Sequence, residues 1–273
     1  MRYFRTLAES THRITFLQGT VSSLLFSPSS PSQVTGVNLS NSTQLYADLT
    51  ILATGAWTPS LVDLRGRATS TGQVLTYLSI TSAEQARLEN MPVILNLSHG
   101  MFIIPPRNNI LKIARHAYGY LNPVTIRTPN GTGQMEVSLP LTTWDTPDAV
   151  VPPEGERACR IALREMIPSL GERPFMSGRV CWYTDTPTGD FLIDYHPSYS
   201  GLFLATGGSG HGFKFLPVIG EKIVDALGRT LEEELRGRWR WREEAGVDGC
   251  EDGSRGGKPG MVLGEEMGKG SKL

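Results

Sequence analysis

The chain has 273 residues, a formal net charge of −1 at pH 7, and 39% hydrophobic against 19% charged residues. This length can bury one large core or two small ones. The near-neutral charge argues against nucleic acid as a partner. The sequence has no run of about 18 apolar residues, so we expect no membrane span. Three cysteines cannot all pair, and no apolar leader is visible at the N-terminus, so we expect a reducing compartment.

The first 67 residues predict strands and turns. Residues 14–26 alternate as a strand pair would, and residues 27–32 form a loop. Residues 34–39 and 44–49 predict a hairpin around Asn41. A buried strand then runs into Ala53-Thr54-Gly55, which by itself is typical of a tight strand end.

Between residues 68 and 180 the pattern changes to short strands that predict one antiparallel sheet, at residues 74–80, 93–97, 101–104, 110–115 and 135–139. Residues 154–167 predict an amphipathic helix with Cys159 in the core. Strand alternation places Lys112 on the same side as His116, and Arg115 on the other side, at the surface. A lysine exposed on an edge strand explains Lys112 equally well from the residues alone.

A glycine-rich loop lies between a predicted strand at residues 202–205 and a predicted helix from Pro217 to Gly228. Its glycines would let backbone N–H groups approach an anion or a flat ring: Gly207, Gly208, Gly210 and Gly212. The spacing is not G-x-G-x-x-G, so a plain turn remains an alternative. The repeat of Ala-Thr-Gly at residues 53–55 and 205–207, with Gly55 in the first copy, favours a cofactor at both strand ends.

The C-terminal 45 residues are more charged. Residues 230–242 predict a helix with a capping box at Thr230 and Glu233. Beyond Glu244 the composition predicts disorder up to Ser271-Lys272-Leu273, the tripeptide read by the peroxisomal import receptor. We therefore expect a peroxisomal protein.

Two segments together resemble the flavin amine oxidases of the sarcosine oxidase, pipecolate oxidase and fructosyl-amino-acid oxidase group. They are residues 178–187 (GRVCWYTDTP) and residues 207–214 (GGSGHGFK), which match that family in order, content and separation. The resemblance extends from about Arg2 to Gly228. It identifies the chain as the C-terminal part of such an enzyme.

The resemblance implies a role for each matching residue. Cys181 would carry FAD through a thioether, and Lys214 would hold the substrate carboxylate. Lys112 would face the flavin and assist its reaction with O2, with His116 beside it, while His211 would tune the flavin. From the residues alone, Cys181 also fits a small core hydrophobe, and His211 and Lys214 fit ordinary loop and helix-start residues. The glycine loop and Gly55 would contact the cofactor.

The same resemblance implies an α/β fold, α+β in part. It would be a two-dinucleotide-binding-fold flavoprotein lacking its first βαβ unit, with an antiparallel-sheet substrate domain. The expected divisions are residues 1–67 and 181–228 for the FAD-binding domain, 68–180 for the substrate domain and 229–273 for a C-terminal helix and tail. No metal is expected. Trp182, Tyr183, Tyr118 and Tyr120 fit either pocket lining or core packing.

The implied reaction is oxidation of a secondary amine of an amino acid derivative by O2, giving an imine and H2O2. Sarcosine, pipecolate, saccharopine and fructosyl amino acids all fit, and the sequence does not distinguish them. Because the absent unit would bind the ADP part of FAD, we expect a truncated chain whose own activity is open. A non-catalytic remnant and a flavin dehydrogenase with another acceptor are the alternatives, and Lys112 argues against the second.

Overall fold

The computed structural model describes residues 2–142, 151–243, 255 and 258–269. An exposed helix, α1 (Arg2–Ser10), precedes a three-stranded antiparallel sheet of β1 (Val21–Ser27), β2 (Ser30–Leu39) and β3 (Gln44–Tyr46). The hairpin predicted around Asn41 is confirmed, because β2 pairs with β3 across it.

The strand pair predicted over residues 14–26 is wrong in its first half. Only β1 is a strand, because it pairs with β2 across a tight turn, and most of the predicted loop at residues 27–32 belongs to these strands. Residues 14–20 form no strand, and the side chains of Ile14, Phe16 and Leu17 are exposed. Their apolar alternation is therefore not used for burial within the described residues.

The later elements fall into three groups. The first is β4 (Thr50–Leu52), which leads through a 3-10 helix (Gly55–Trp57) to α2 (Thr58–Leu61). The second is β5 (Thr69–Ser79), α3 (Ser82–Leu88), β6 (Ile94–Asn96), β7 (Met101–Arg107), β8 (Ile110–Arg115), β9 (Tyr120–Leu121), β10 (Pro123–Arg127), β11 (Gln134–Ser138) and α4 (Pro153–Met166). The third is β12 (Ser177–Asp185), β13 (Leu192–Tyr195), β14 (Leu202–Thr206), a 3-10 helix (Gly212–Phe215), α5 (Leu216–Leu227), α6 (Glu233–Trp239), β15 (Met261–Val262) and α7 (Leu263–Gly268).

The largest sheet has seven strands built around β5. Strand β12 pairs antiparallel with β5, and β8 and β9 also pair with β5, while β7 and β6 continue the sheet beyond β8. The predicted antiparallel sheet is confirmed for the first four of its strands. The fifth, predicted at residues 135–139, is wrong in its placement, because β11 pairs with its sequence neighbour β10 in a separate hairpin.

Helix α4 covers one face of the large sheet, and the main core lies between them. Val74 and Ile113 from the sheet and Cys159 and Leu163 from the helix are fully buried in this core. The core position predicted for Cys159 is confirmed, and burial raises the pKa of its thiol to about 11. A thiol of that kind is unreactive near neutral pH.

Arg115 is not a surface residue, which corrects the prediction for it. Its side chain is 5% exposed because its side of β8 is the one that α4 covers. Its guanidinium donates two hydrogen bonds to the Glu154 carboxylate, at 2.8 and 3.1 Å, and Tyr120 donates a third. Burial opposes ionisation of Glu154, but these hydrogen bonds hold the pKa of its carboxyl below the usual value.

Replacing Glu154 by Gln is expected to lower the free energy of unfolding by about 3–5 kcal/mol, because it leaves the buried Arg115 without a counter-ion. Urea denaturation followed by circular dichroism measures this. Glu172→Gln is the control, since it breaks an Arg164–Glu172 pair whose side chains are 53% and 78% exposed. Equal denaturation midpoints for Glu154→Gln and the unmodified protein would contradict the role of Glu154 as the stabilising counter-ion of Arg115.

A smaller sheet is formed by β13, β14 and β4, in that order, with β14 and β4 parallel. The strand predicted at residues 202–205 and the helix predicted from Pro217 to Gly228 are confirmed as β14 and α5. Helices α5 and α6 pack against this sheet through a cluster that includes Phe203 and Trp239. Within the described residues, no helix combines the length and apolar character that crossing a bilayer requires.

Two predictions for the C-terminal part are wrong. Helix α6 begins after Glu232 and has no capping box, because the backbone N–H of Thr230 instead donates to the Asp225 carbonyl and closes the end of α5. Residues 258–269 are ordered: β15 pairs in parallel with β9, and Leu263 of α7 is 4% exposed. Residue 255 is also described, and the targeting tripeptide and the remainder of the predicted tail lie outside the described residues.

Candidate functional site

Strand register places two of the predicted site residues on the face of the large sheet that α4 leaves uncovered. Leu75 of β5 lies opposite both Ala114 and Arg179. Residues two positions along a strand point to the same side, so Lys112 and Cys181 share that face with Leu75. We call it the open face. The neighbouring Val180 and Trp182 point the other way and pack against the main core.

Lys112 lies in the interior of the sheet, because β8 is flanked by β5 on one side and β7 on the other. The alternative of an edge-strand lysine is therefore wrong. Its side chain is half-buried, and its ammonium lies 5.7 Å from the centre of the Phe102 ring. Among the described residues it has no carboxylate partner, so the open face presents an unneutralised cation here.

The glycine loop packs against the part of the open face that carries His116 and Tyr183. Gly210 has a φ of +74°, and a Cβ there would lie 2.7 Å from the Tyr183 ring and 3.0 Å from the His116 ring. The backbone N–H of Ser209 donates to the Thr184 carbonyl at 2.9 Å. The structure therefore joins residues 207–212 to His116 and to Tyr183, which lies two residues from Cys181. Burial raises the pKa of Tyr183 to about 12, so its phenol stays protonated.

The two Ala-Thr-Gly turns meet at the ends of β4 and β14. The Thr58 hydroxyl is fully buried between them and lies 2.9 Å from the Thr54 hydroxyl and 3.0 Å from the Thr206 hydroxyl. This threonine cluster ties together the two strand ends from which the loops leave. The repeat seen in the sequence thus has a structural counterpart.

The glycines of the two turns have two different structural roles. Gly207 is required by the protein itself, because a Cβ there would lie 2.8 Å from Leu192 and from Thr186. At Gly55 and Gly208, in contrast, a Cβ would meet no atom within 4 Å, and at Gly212 only Phe191 at 3.9 Å. A group laid against these positions would meet bare backbone. This arrangement fits a flat cofactor that needs close approach.

His211 and Lys214 contact a different set of side chains, among them Phe191 and Phe215. The His211 ring stacks on Phe191 with centres 5.2 Å apart, and its Nδ1 lies 3.0 Å from the Ser209 carbonyl, to which it donates. Lys214 sits in the following 3-10 helix, exposed, with its ammonium 5.1 Å from the Phe215 ring. The structure does not bring Lys214 into contact with Lys112, His116 or Cys181.

Arg255 is a residue of this site that the sequence did not reveal. Its side chain is 6% exposed and reaches the glycine loop and the end of β12, where it pairs with Asp185 at 2.5 Å. It also donates to the Ser209 carbonyl at 2.9 Å and lies 5.7 Å from the Tyr183 ring centre. The glycine-rich, charged stretch around Arg255 indicated disorder, and no local pattern could have indicated burial.

A cavity of about 230 Å³ lies beside this pair. Its wall includes Thr71 and Asp185, which share the open face with Cys181 and Tyr183, together with Tyr118 and Arg255. Of the four aromatic residues with two possible roles, Tyr118 lines this cavity and Tyr183 faces the loop. Trp182 and Tyr120 belong to the main core instead, and the Trp182 indole donates to the Leu141 carbonyl at 2.9 Å.

The chain belongs to the FAD dependent oxidoreductase family, because a sequence model of that family matches residues 1–226. The family predicted from the two segments is thereby confirmed. Over 259 residues the chain is 33% identical to amino acid oxidase imqH of Aspergillus flavus, and over 209 residues it is 30% identical to L-saccharopine oxidase of Schizosaccharomyces pombe. These matches cover 83% and 76% of this chain but 54% and 47% of the relatives.

Solved structures agree with this assignment. A modified fructosyl peptide oxidase from Aspergillus nidulans superposes with a TM-score of 0.81 at 32% identity, covering 90% of this chain and 56% of that one. Fructosamine oxidase (Amadoriase II) from Aspergillus fumigatus gives a TM-score of 0.75 at 31% identity, covering 90% of this chain and 56% of that one. The mixed α/β fold is confirmed, and the chain spans about half the length of the relatives it matches.

Proposed function

We propose that this chain supplies the flavin- and substrate-facing residues of an FAD-dependent oxidase acting on a secondary amine of an amino acid derivative. The observation that carries the proposal is the open face, where an interior lysine, Cys181 and the glycine loop converge on one side of the large sheet. When bound, FAD supplies the two-electron oxidation of the amine's α C–H bond and passes the electrons to O2. The relatives extend beyond the matched part, so the proposal concerns what these residues contribute.

The residues present fit FAD at two points. The bare backbone at Gly55 and Gly208 would allow close approach of the cofactor, and the ends of parallel strands are where dinucleotide cofactors lie in such folds. Cys181 is half-buried on the open face, and we propose that it carries the flavin through a thioether. Cys159 is unsuited to this role because it lies on α4 and is buried against the opposite face of the sheet.

Lys112 and the two histidines would serve the chemistry. Electron transfer to O2 creates negative charge, and an ammonium already in place stabilises this charge without reorganisation. The position of Lys112 within the sheet interior, without a carboxylate partner among the described residues, supports that role for it. His116, in contact with Gly210, would orient groups at the loop, and His211, with its proton held on Nδ1 by the Ser209 carbonyl, offers Nε2 as an acceptor.

Substrate binding would use Lys214 and the cavity beside Asp185. Lys214 is exposed and unpaired among the described residues, so its ammonium is available for a carboxylate. The cavity of about 230 Å³ would accommodate the remainder of an amino acid derivative. Production of H2O2 would suit a peroxisomal location, which we propose from Ser271-Lys272-Leu273 as the address bound by the import receptor.

Replacing Lys214 by Met is expected to raise KM for the amino acid derivative roughly tenfold to a hundredfold, with kcat little changed. The lost contact is a charge-assisted hydrogen bond used equally in substrate and transition state. Steady-state kinetics at saturating O2 measure it. Lys222→Met is the matched control, because Lys222 lies on α5 and pairs with Asp225 and Glu232. An unchanged KM would make Lys214 a surface residue.

The experiment that tests the proposed function is a substrate panel with two readouts. Flavin-loaded protein is mixed with sarcosine, pipecolate, saccharopine or a fructosyl amino acid, and both amine loss and H2O2 are quantified. The proposal expects one H2O2 per amine consumed with at least one of them. Amine consumption only with an artificial acceptor would indicate the dehydrogenase alternative, and no consumption at all would indicate a non-catalytic protein.

A further inference from the structure

The guanidinium of Arg255 makes five contacts at the glycine loop. One nitrogen, Nη1, lies 3.3 Å from Nδ1 of His116 and 3.4 Å from the Ala117 carbonyl. The other, Nη2, donates to Asp185 at 2.5 Å and to the Ser209 carbonyl at 2.9 Å, and the group lies 5.7 Å from the Tyr183 ring. These partners come from three separate parts of the chain. Arg255 therefore links the segment that follows β8, the end of β12 and the glycine loop.

The Asp185 carboxylate allows the positive charge of Arg255 to be buried beside the glycine loop. A buried cation without a counter-ion is strongly unfavourable, and among the residues that the structure describes the Asp185 carboxylate, 16% exposed, is the ion-pair partner of Arg255. The Thr71 hydroxyl donates to the second oxygen of the same carboxylate and fixes its orientation. Asp185 lies four residues beyond Cys181 on the same face of β12. Its carboxylate accepts hydrogen bonds from Arg255 and Thr71.

The contact with His116 determines where that imidazole carries its proton. A guanidinium has only N–H donors, so Nδ1 of His116 must accept the hydrogen bond from Arg255. A neutral imidazole that accepts at Nδ1 carries its proton on Nε2. The ring also lies against Gly210, so its orientation and the position of the loop are set together. Without Arg255, His116 would lose this constraint on its tautomer.

We propose that Asp185 and Arg255 form a positioning pair that holds His116 in its Nε2-protonated form and fixes the glycine loop. The pair rests on the proposed function only in that His116 and the loop belong to the active site. Asp185 is a positioning residue that acts through Arg255. The segment at residues 258–269, which follows Arg255 in the chain, is itself held against the sheet, because β15 pairs with β9 and Leu263 is buried in the main core.

The test uses ¹⁵N-histidine-labelled protein and needs no turnover. The chain contains five histidines, and the His116 signals are assigned by their loss in His116→Asn. In the unmodified protein the ring is expected to show an unprotonated Nδ1 and a protonated Nε2. In Asp185→Asn and in Arg255→Met we expect averaged shifts from a mixture of the two tautomers. Unchanged shifts in either variant would overturn the proposal.

Hydrogen exchange provides the second readout and separates positioning from simple packing. Asp185→Asn is expected to speed amide exchange in residues 207–212 roughly tenfold or more, as expected for loss of a hydrogen bond to a charged group. In an Arg255→Met background, Asp185→Asn should add nothing, because its effect passes through Arg255. An equal further acceleration in that background would contradict the pairing. Glu234→Gln, which breaks the exposed Arg238–Glu234 pair, is the control.

Both readouts are independent of the proposed function. A protein that lacks oxidase activity but shows the expected tautomer and exchange would disprove the oxidase and leave the positioning pair intact. An active oxidase whose His116 signals do not respond to Asp185→Asn would disprove the pair alone. In an active protein, Asp185→Asn should lower kcat/KM by the same factor as Arg255→Met, and the double variant should lower it no further.

Discussion

Replacing Lys112 by Met is expected to slow the O2-dependent step of the flavin-loaded protein about a hundredfold or more. The charge that Lys112 stabilises develops only when O2 accepts an electron, and a preplaced cation in a water-poor site accounts for a factor of this size. Met keeps the length of the side chain and its packing against Phe102, so the strand order of the sheet is retained. The change therefore removes charge with little loss of packing.

The measurement is stopped-flow mixing of anaerobically reduced protein with aerated buffer, followed by flavin absorbance. Lys214→Met is the contrasting variant, since it should alter substrate affinity and leave the O2 reaction unchanged. Reduction by the amine should remain within a few-fold in Lys112→Met. Equal O2 rates in Lys112→Met and the unmodified protein would remove the physical argument for O2 as acceptor.

Replacing Cys181 by Ala is expected to convert all bound flavin from acid-stable to acid-released. Cys181 is the half-buried cysteine of the open face, whereas burial between α4 and the large sheet raises the pKa of the Cys159 thiol to about 11. Precipitation with acid followed by absorbance of the supernatant and pellet measures the effect. Cys159→Ala and Cys250→Ala are the controls and should keep the flavin in the pellet. Release of all flavin from the unmodified protein would show that the attachment is not covalent.

Short-range patterns in the sequence were sufficient for several elements. The apolar run before the glycine loop gives β14, the proline-led periodicity after it gives α5, and the amphipathic stripe with Cys159 gives α4. Each depends on neighbours within a few turns or residues, which is the range over which periodicity is informative. The same alternation correctly separated Lys112 from Arg115. It could not show that the Arg115 side is the one covered by α4.

Long-range pairing is the information that the sequence lacked. Cys181 and Lys112 share a face only because β12 and β8 both pair with β5, and strand register between distant segments is not encoded locally. The capping box predicted at Thr230 does not form, because the backbone N–H of Thr230 donates its hydrogen bond to the Asp225 carbonyl instead. Arg255 could not be predicted for a related reason. Its burial depends on Asp185, which lies 70 residues away in the chain. The composition of the stretch around Arg255 itself indicates disorder.

The most direct test of the central claim, that the open face of the large sheet is the flavin face, is to locate the flavin on the chain. Trypsin should place the three cysteines in three different peptides: residues 158–160 for Cys159, 180–214 for Cys181 and 243–255 for Cys250. Mass spectrometry of the digested flavoprotein is expected to find the flavin mass on the peptide of residues 180–214, which also carries the glycine loop. Flavin on either other peptide, or on none, would contradict the account.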